Sequence, residues 1–365
     1  MKPYDEQWMR AAIGQSLRGK GWTSPRPCVG CVIVRDDAII GAGFTQSGDG
    51  QPHAEVMAVR ESWRRDPVRG PRGATVYTTL EPCAHWGTTP PCCDMLVREQ
   101  IARVVVGVVD PDPRVAGRGL ARMNEAGITI EVGVLTDECF ASLDEFLFSV
   151  VEKRPFVTLK SALSLDGNIA LKNGESKWIT GPLARNKAHQ LRHFHDAILV
   201  GIGTVLADDP QLSVRLEGPH KQPKRIVMDG MGRLPLDAKI WQDAPEVIVV
   251  CRAEASPANV ARLEEGGARV WPLGDDWPKL MQQLWRDGIY SVLIEGGARV
   301  AASAFEAGVV DKVALFIAPV LMGAGQRLLP QVKFASMNDV ARLERVMVSR
   351  FGVDTLIEGY LREPS

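Results

Sequence analysis

Three side chains that suit a soft metal lie on two short segments, and any fold of this chain has to bring them together. His53 sits in Pro52-His53-Ala54-Glu55, and Cys83 and Cys92 sit in Glu81-Pro82-Cys83-Ala84-His85-Trp86-Gly87-Thr88-Thr89-Pro90-Pro91-Cys92. One imidazole and two thiolates fill three corners of a tetrahedral zinc site and leave the fourth to water, whose pKa zinc lowers to about 7. Glu55, two residues from His53 and at the start of a helix, can move that water's proton without binding the metal. A helix starting near Pro91 puts both cysteines at its positive end, where thiolates are favoured. Cys93 adjoins Cys92, and Cys92 is preferred because the Pro-Pro-Cys turn opens the helix there. Cys28-Val29-Gly30-Cys31 is a rival metal half-site, but it starts a β-run, where residues three apart face opposite sides, so buried thiols are expected.

A length of 365 residues predicts two domains at about 150 residues each. Apolar residues make up 45% and charged residues 24% of the chain, enough for two cores. Lys+Arg 43 against Asp+Glu 44 leaves a net charge of -1, which argues against a broad nucleic-acid-binding face and leaves a local pocket for a small phosphate open. The start, MKPYDEQWMR, has no basic segment followed by an apolar one, and no apolar run reaches about 18 residues. A cytoplasmic protein without membrane spans is expected. Seven cysteines, an odd number, fit metal or free thiols better than a disulfide framework.

Hydrophobic periodicity predicts helices over 6–17, 53–63, 91–99 and 137–150, with strands over 29–35, 38–44, 74–80, 103–109 and 128–132. Such alternation indicates an α/β layered sheet. The charged stretch Glu152-Lys153-Arg154-Pro155 closes this part, giving domains 1–152 and 153–365. The second half repeats the pattern, with strands over 156–163, 197–200, 224–228, 247–251 and 290–295 and helices over 183–195, 257–265, 279–287 and 300–307. Its end differs, because 312–318 and the stretch 343–361 read as strands meeting in antiparallel fashion. Gly296-Gly297 between a strand and a helix can expose backbone N–H groups to a pyrophosphate, although no G-x-G-x-x-G fingerprint is present.

H-x-E followed by P-C-x-x-C is the signature of zinc nucleobase deaminases. Here eight residues separate the cysteines where the signature has two, and the longer loop, carrying His85, Thr88 and Thr89, can wrap a larger substrate than a bare base. The Pro27–Val34 run, the His53 triplet, the 77–92 run, Asp110-Pro111 and Gly117-Arg118-Gly119 together resemble the bifunctional riboflavin-biosynthesis deaminase/reductase family. In the second half Ser164-Leu-Asp-Gly167, Gly174-Glu-Ser-Lys-Trp-Ile-Thr180, Asp196-Ala-Ile-Leu-Val200, Thr204-Val-Leu-Ala-Asp-Asp-Pro210 and Ile294-Glu-Gly-Gly297 are similar to its reductase domain. The resemblance spans nearly the whole chain.

It implies a cytidine-deaminase-like αβα layered domain followed by a dihydrofolate-reductase-like α/β domain. It also implies zinc-dependent hydrolytic deamination of 2,5-diamino-6-(5-phosphoribosylamino)pyrimidin-4-one, then NADPH-dependent reduction of the ribosyl to the ribityl side chain. The phosphoribosyl-pyrimidine is the expected partner, no nucleic acid is, and a homo-oligomer is compatible with the reading. The metal ligands would be His53, Cys83 and Cys92, with Glu55 catalytic. The resemblance assigns cofactor contacts to Ala162, Trp178, Thr204, Asp208 and Gly297, Ala298, Arg299, Val300, Ala301, Ala302 and Ser303. It assigns substrate contacts to Ser176, Arg192, Leu212, Arg215 and Glu295. Arg192 and Arg215 can each grip a phosphate, Asp208 is the candidate proton partner as the glycosylamine opens, and Arg299 alone is a candidate for a 2′-phosphate contact. Two departures stand out: Pro25-Arg26-Pro27 replaces the family's Pro-Asn-Pro, and Thr88 stands where Lys or Arg is common. Arg26 is therefore expected to supply the phosphate contact that Thr88 lacks. The alternatives are a single-function reductase carrying a catalytically weak deaminase-like domain, and a nucleic-acid-editing deaminase, which the neutral charge disfavours.

Overall fold

The computed structural model describes residues 4–48, 50–87, 90–113 and 115–362; Thr88 and Thr89 lie outside the described residues. The chain divides into two compact units, the first ending at Glu152 and the second starting at Lys153.

The first unit runs α1 (Asp5–Gly19), β1 (Gly30–Arg35), β2 (Ala38–Phe44), α2 (Ala54–Arg65), β3 (Thr75–Leu80), α3 (Cys92–Arg98), β4 (Arg103–Val108), α4 (Arg118–Glu125), β5 (Thr129–Val132) and α5 (Thr136–Glu152). Its sheet has the order β2-β1-β3-β4-β5. β1 is antiparallel to β2 and β3, while β3, β4 and β5 are parallel. Asp36 and Asp37 make the β1–β2 turn with φ of 51° and 54°, the left-handed pair a tight hairpin needs and aspartate tolerates. Val32, Val34, Tyr77 and Val105 pack with Met9 and Ala12 of α1 and Cys139 of α5. α2 lies against β2 at van der Waals limit: a Cβ on Gly41 would stand 2.2 Å from the Ala58 carbonyl oxygen, and one on Gly43 2.4 Å from that of Ala54. That contact fixes the first turn of α2, and with it His53 and Glu55, over the sheet.

The second unit contains β6 (Phe156–Ser164), β7 (Asn168–Ala170), α6 (Pro182–Phe194), β8 (Ala197–Gly201), α7 (Ile202–Asp208), β9 (Lys224–Met228), β10 (Val247–Val250), α8 (Pro257–Glu265), β11 (Arg269–Trp271), α9 (Trp277–Arg286), β12 (Ser291–Glu295), α10 (Ala298–Glu306), β13 (Lys312–Ala318), β14 (Gln326–Arg327), β15 (Glu344–Phe351) and β16 (Asp354–Tyr360). The sheet order is β11-β10-β9-β8-β12-β6-β13-β16-β15, with β7 and β14 as a separate ribbon. From β11 to β13 every neighbour is parallel, and β16 and β15 close the sheet antiparallel. The central strands are buried on both faces, as β8 and β12 are throughout, which is why they read as unbroken apolar runs. The Asp208-Asp209-Pro210 segment is the end of α7 and not a free turn: Asp208 is its last residue and Asp209, at φ 40°, its left-handed cap. Among the described residues no helix is long and apolar enough to cross a membrane.

Because neither Gly41 nor Gly43 has room to give, Gly43→Ala is expected to cost about 2–3 kcal/mol of stability. Chemical denaturation should then show a lower midpoint for the first unit and an unchanged one for the second.

Candidate active sites

In the first unit His53 is the N-cap of α2, and Cys92 is the first residue of α3. The His53 Nδ1 atom lies 3.7 Å from Cys83 Sγ and 3.4 Å from Cys92 Sγ, and all three ligand atoms fall within 4.8 Å of one another. Among the described residues this is the one group of histidine, cysteine or acidic side chains spaced to hold a metal. The Cys92 amide donates to Cys83 Sγ at 3.3 Å. Hydrogen bonds from the Cys92 thiol, from His53 and from that amide hold the Cys83 thiol down to about 4, whereas Cys92, hydrogen-bonded to Cys83 and buried, is pushed up. A cation bound here would displace the thiol protons that remain. Two thiols and an imidazole converging in a pocket that shields them fit zinc by donor type and spacing. Glu55 is 3% exposed, and burial raises its carboxyl above the ordinary value despite the neighbouring His53.

Cys93 turns its thiol to Asp94 and Arg122. Cys28 and Cys31 are buried free thiols; Cys28 donates to the Ser142 carbonyl, and burial pushes it to about 12 and Cys31 upward as well. His85 has its Nδ1 atom shielded and without a hydrogen-bond partner among the described residues.

The Cys83 loop owes its position to Glu81, which sequence reasoning left unassigned. Its buried carboxylate accepts from the amides of Gly117 (2.9 Å), Gly119 (3.1 Å) and Leu120 (3.4 Å) at the start of α4. Gly117 has φ 76°, and a Cβ on Gly119 would stand 2.4 Å from the Pro82 carbonyl oxygen. The Gly-Arg-Gly motif is therefore the cap that seats Pro82 and Cys83. Arg26 is also committed to a loop: its guanidinium donates to the carbonyls of Gln46 (3.4 Å), Gly48 (2.6 Å) and Gln51 (3.1 Å) just ahead of His53. Three of its five N–H donors thus hold this loop, and the other two have no protein acceptor among the described residues.

In the second unit a cavity of about 1330 Å³ opens along the carboxyl ends of the parallel strands, where open α/β sheets bind their ligands. Of the residues assigned from sequence, Ala162, Ser176, Arg192, Thr204, Asp208, Leu212, Glu295, Gly297, Ala298, Arg299, Val300 and Ser303 line it. Trp178 and Arg215 are not among its walls. Trp178 is largely exposed, with Arg185 stacked 4.5 Å from its ring centre. Ala301 and Ala302 are 1% exposed; they lie on the buried side of α10, since a helix cannot present seven consecutive side chains to one ligand.

Glu295, at the end of β12, is gripped by Arg192 through Nε (2.7 Å) and Nη2 (2.9 Å), and by Lys160 Nζ at 3.4 Å. Burial would raise this carboxyl, yet Arg192 and Lys160 hold it well below the usual carboxylate range. Lys160 escaped sequence reasoning because it interrupts an apolar strand. Arg192 also donates to the Ser213 carbonyl at 3.0 Å, so three of its five N–H donors meet protein acceptors. Arg215 donates from Nη1 to Ser213 Oγ at 2.9 Å and feels both Arg192 and Glu295. Asp208 lies 3.8 Å from Lys177 Nζ. The histidines of α6 are engaged separately: His189 with the Ser213 carbonyl, His193 with the Lys221 amide, His195 with Leu191 and Thr158.

After Glu295 the backbone turns at Gly296 (φ 109°) and Gly297 (φ 80°), and α10 starts without a side-chain cap. Cβ atoms on these glycines would stand 3.4 Å and 3.3 Å from Thr204. A left-handed glycine pair ahead of uncapped amides, facing the cavity, fits the pyrophosphate of a dinucleotide.

Residues 2–108 match the model of the cytidine and deoxycytidylate deaminase zinc-binding region, and residues 155–357 that of the RibD C-terminal domain. The riboflavin biosynthesis protein RibD of Aquifex aeolicus is 37% identical over 360 residues, covering 98% of both chains. That of Escherichia coli is 39% identical, covering 92% of this chain and 96% of the relative. Among solved structures, Acinetobacter baumannii RibD aligns with a TM-score of 0.81 at 39% identity. The diaminohydroxyphosphoribosylaminopyrimidine deaminase/5-amino-6-(5-phosphoribosylamino)uracil reductase of Thermotoga maritima aligns with 0.83 at 34%. Each covers 98% of this chain and 98% of its own.

Proposed function

The chain belongs to the RibD family of bifunctional riboflavin-biosynthesis deaminase/reductases, and from that premise we propose which residues perform its two reactions and with which cofactors. It is an enzyme with a cytidine-deaminase-like domain ahead of a reductase domain. The first unit removes the ring 2-amino group of 2,5-diamino-6-(5-phosphoribosylamino)pyrimidin-4-one, and the second reduces the ribosyl group to ribityl.

The observation that carries the deaminase assignment is the convergence of His53, Cys83 and Cys92 beside a buried Glu55. The three side chains would hold zinc, which when bound supplies a water acidic enough to react near neutral pH. Glu55 carries the protons: its raised affinity in a buried position suits a group that must take one from the water at neutral pH and hand it to the ring nitrogen, then take the second from the hydroxyl added to the ring and hand it to the departing amine. Intact ligands and a buried acid speak against a deaminase-like unit that has lost its activity.

In the second unit NADPH, when bound, would supply the hydride. The protein's work is placement: the Gly296-Gly297 turn takes the pyrophosphate, and Thr204 flanks it. Lys160 and Arg192 around Glu295 put more positive than negative charge at one end of the cavity, which suits a phosphorylated sugar in a chain of net charge -1. Glu295, fixed as an anion, can accept from a sugar hydroxyl. Asp208, at the end of α7 with Lys177 beside it, is placed to exchange a proton as the glycosylamine opens.

Purified protein is expected to carry about one zinc per chain and to release ammonia only with substrate; a zinc-loaded, folded protein that releases none overturns the reading. Glu55→Gln should keep the metal and lose deamination by about 10²–10⁴-fold, leaving reduction of the deaminated pyrimidine intact.

Glu295→Gln strips Arg192 and Lys160 of their counter-ion. Reductase kcat/KM should fall at least about tenfold with ammonia release unaltered, measured as NADPH oxidation with the deaminated substrate.

A further inference from the structure

Among the described residues the largest side chain that is fully buried belongs to a charged residue, Arg225, at 0% exposure. It stands in the middle of the sheet on β9, opposite Ile198 of β8 and Val247 of β10, and shares a face with the core residue Val227 two positions on. An apolar side chain would suit that place by pattern. Burial and the nearby Arg192 push its pKa down to about 10, which leaves it charged at neutral pH. Yet its donors meet neutral acceptors: the Gln211 carbonyl from Nε at 3.3 Å, the Pro223 carbonyl from Nη1, and the Gln222 side-chain oxygen from Nη2 at 3.4 Å. All three acceptors belong to the segment between α7 and β9.

Leu212, Ser213 and Val214 of that segment are buried although they form no helix or strand, so their amides and carbonyls need partners from elsewhere. Side chains supply them. The Ser213 carbonyl accepts from Arg192 Nη1 at 3.0 Å and from His189 Nδ1 at 3.2 Å. Gln222 accepts from the Val214 amide at 2.9 Å and donates to its carbonyl at 3.0 Å. Within this frame Leu212 has φ 54°, a left-handed conformation that a leucine keeps only where its surroundings impose it. Leu212 lines the cavity, and Arg192 is the residue that grips Glu295. One buried segment thus anchors both a wall of the cavity and the Glu295 pair, and Arg225 holds it from the sheet side. We infer that Arg225 is a positioning residue of the reductase: through Gln222 and the Gln211 carbonyl it fixes segment 211–214, so that Leu212 and Arg192 meet the phosphorylated sugar in one arrangement. Arg225 is not among the walls of the cavity and acts through this segment alone. Hydrogen bonds from a charged donor are roughly twice as strong as neutral ones, and a buried guanidinium stripped of them is costly, so arginine and segment hold each other in place. The inference rests on the proposed reductase reaction.

Steady-state reduction of the deaminated pyrimidine by the full chain, together with calorimetric titration of NADP⁺, tests it. A loosened segment presents the same groups in several arrangements, which weakens binding by the fraction that is competent and leaves the bound substrate as reactive as before. Gln222→Met cuts the link to Val214 and leaves Arg225 in place; it is expected to raise KM about tenfold or more, with kcat and NADP⁺ affinity changing less than about threefold. Arg225→Met should do the same, and the double variant should be within about twofold of the poorer single one, because both residues act through one segment. Arg225→Lys keeps the charge without the planar fork and should match Arg225→Met; a lysine that restores KM makes charge alone the cause and overturns the positioning role. Losses that multiply in the double variant, or NADP⁺ affinity falling in step with KM, overturn it too. Should the Arg225 variants fail to fold, Gln222→Met decides, and an unchanged KM there overturns the inference. If the unaltered chain binds NADP⁺ but does not reduce the deaminated pyrimidine, the reductase reading itself falls and this inference with it.

Discussion

Cys83 accepts a hydrogen bond from the Cys92 amide at the first turn of α3, and this contact between a thiol and an unspent helix donor sets the geometry of the metal cluster. The first amides of a helix have no partner within it, so whatever anion or thiolate meets them is held in a defined direction. The same device recurs one loop further on, where Glu81 takes three amides at the start of α4 and thereby seats Pro82 and Cys83. It recurs in the second unit with the donors left open, because α10 begins at a glycine pair and no side chain caps it. At α3 and α4 the group that meets the amides comes from elsewhere in the chain, Cys83 in one case and Glu81 in the other.

The two buried carboxylates show how environment divides their work. Glu55 and Glu295 are 3% and 8% exposed, and burial raises the proton affinity of both. Around Glu55 the opposing charge of His53 is too little to offset that cost, so the group stays willing to take a proton. Around Glu295 a bidentate arginine and a lysine overcome it, and the carboxylate stays charged. Proton transfer calls for the first condition and fixed orientation of a sugar for the second.

Much of this was legible in the sequence where a residue type is tied to one chemistry. The three ligands, Glu55 and the strand–Gly-Gly–helix junction could be read because their spacing restricts what else they can be. The strands could be read because runs buried on both faces are apolar throughout. What escaped was set by tertiary partners. α7, only seven residues long, carries too few turns for a period, and its Asp-Asp-Pro end looks like a loop. Glu81 gains its role from amides 36 and 38 positions away. Arg192 was readable as an anion binder but not as the partner of Glu295, 103 residues on. Ala301 and Ala302 belong to a motif written as a continuous run, and the burial of their side chains on one face of α10 follows from the 3.6-residue turn, which no motif records.

A chain with a net charge of -1 has no long-range field to draw in a phosphorylated substrate, so recognition must come from charges placed at short range. In the second unit they fall into two groups along one cavity, Lys160 and Arg192 at one end and Arg233 and Arg252 at the other. Each group is partly neutralised by its own carboxylates, Glu295 in the first and Asp229 and Asp275 in the second. The difference lies in burial. The buried Glu295 pair is costly to break and so holds a shape, whereas the exposed Asp275 pair is worth little and can give way to a better anion. The Glu295 end is thus rigid, and the Arg233 and Arg252 end is not.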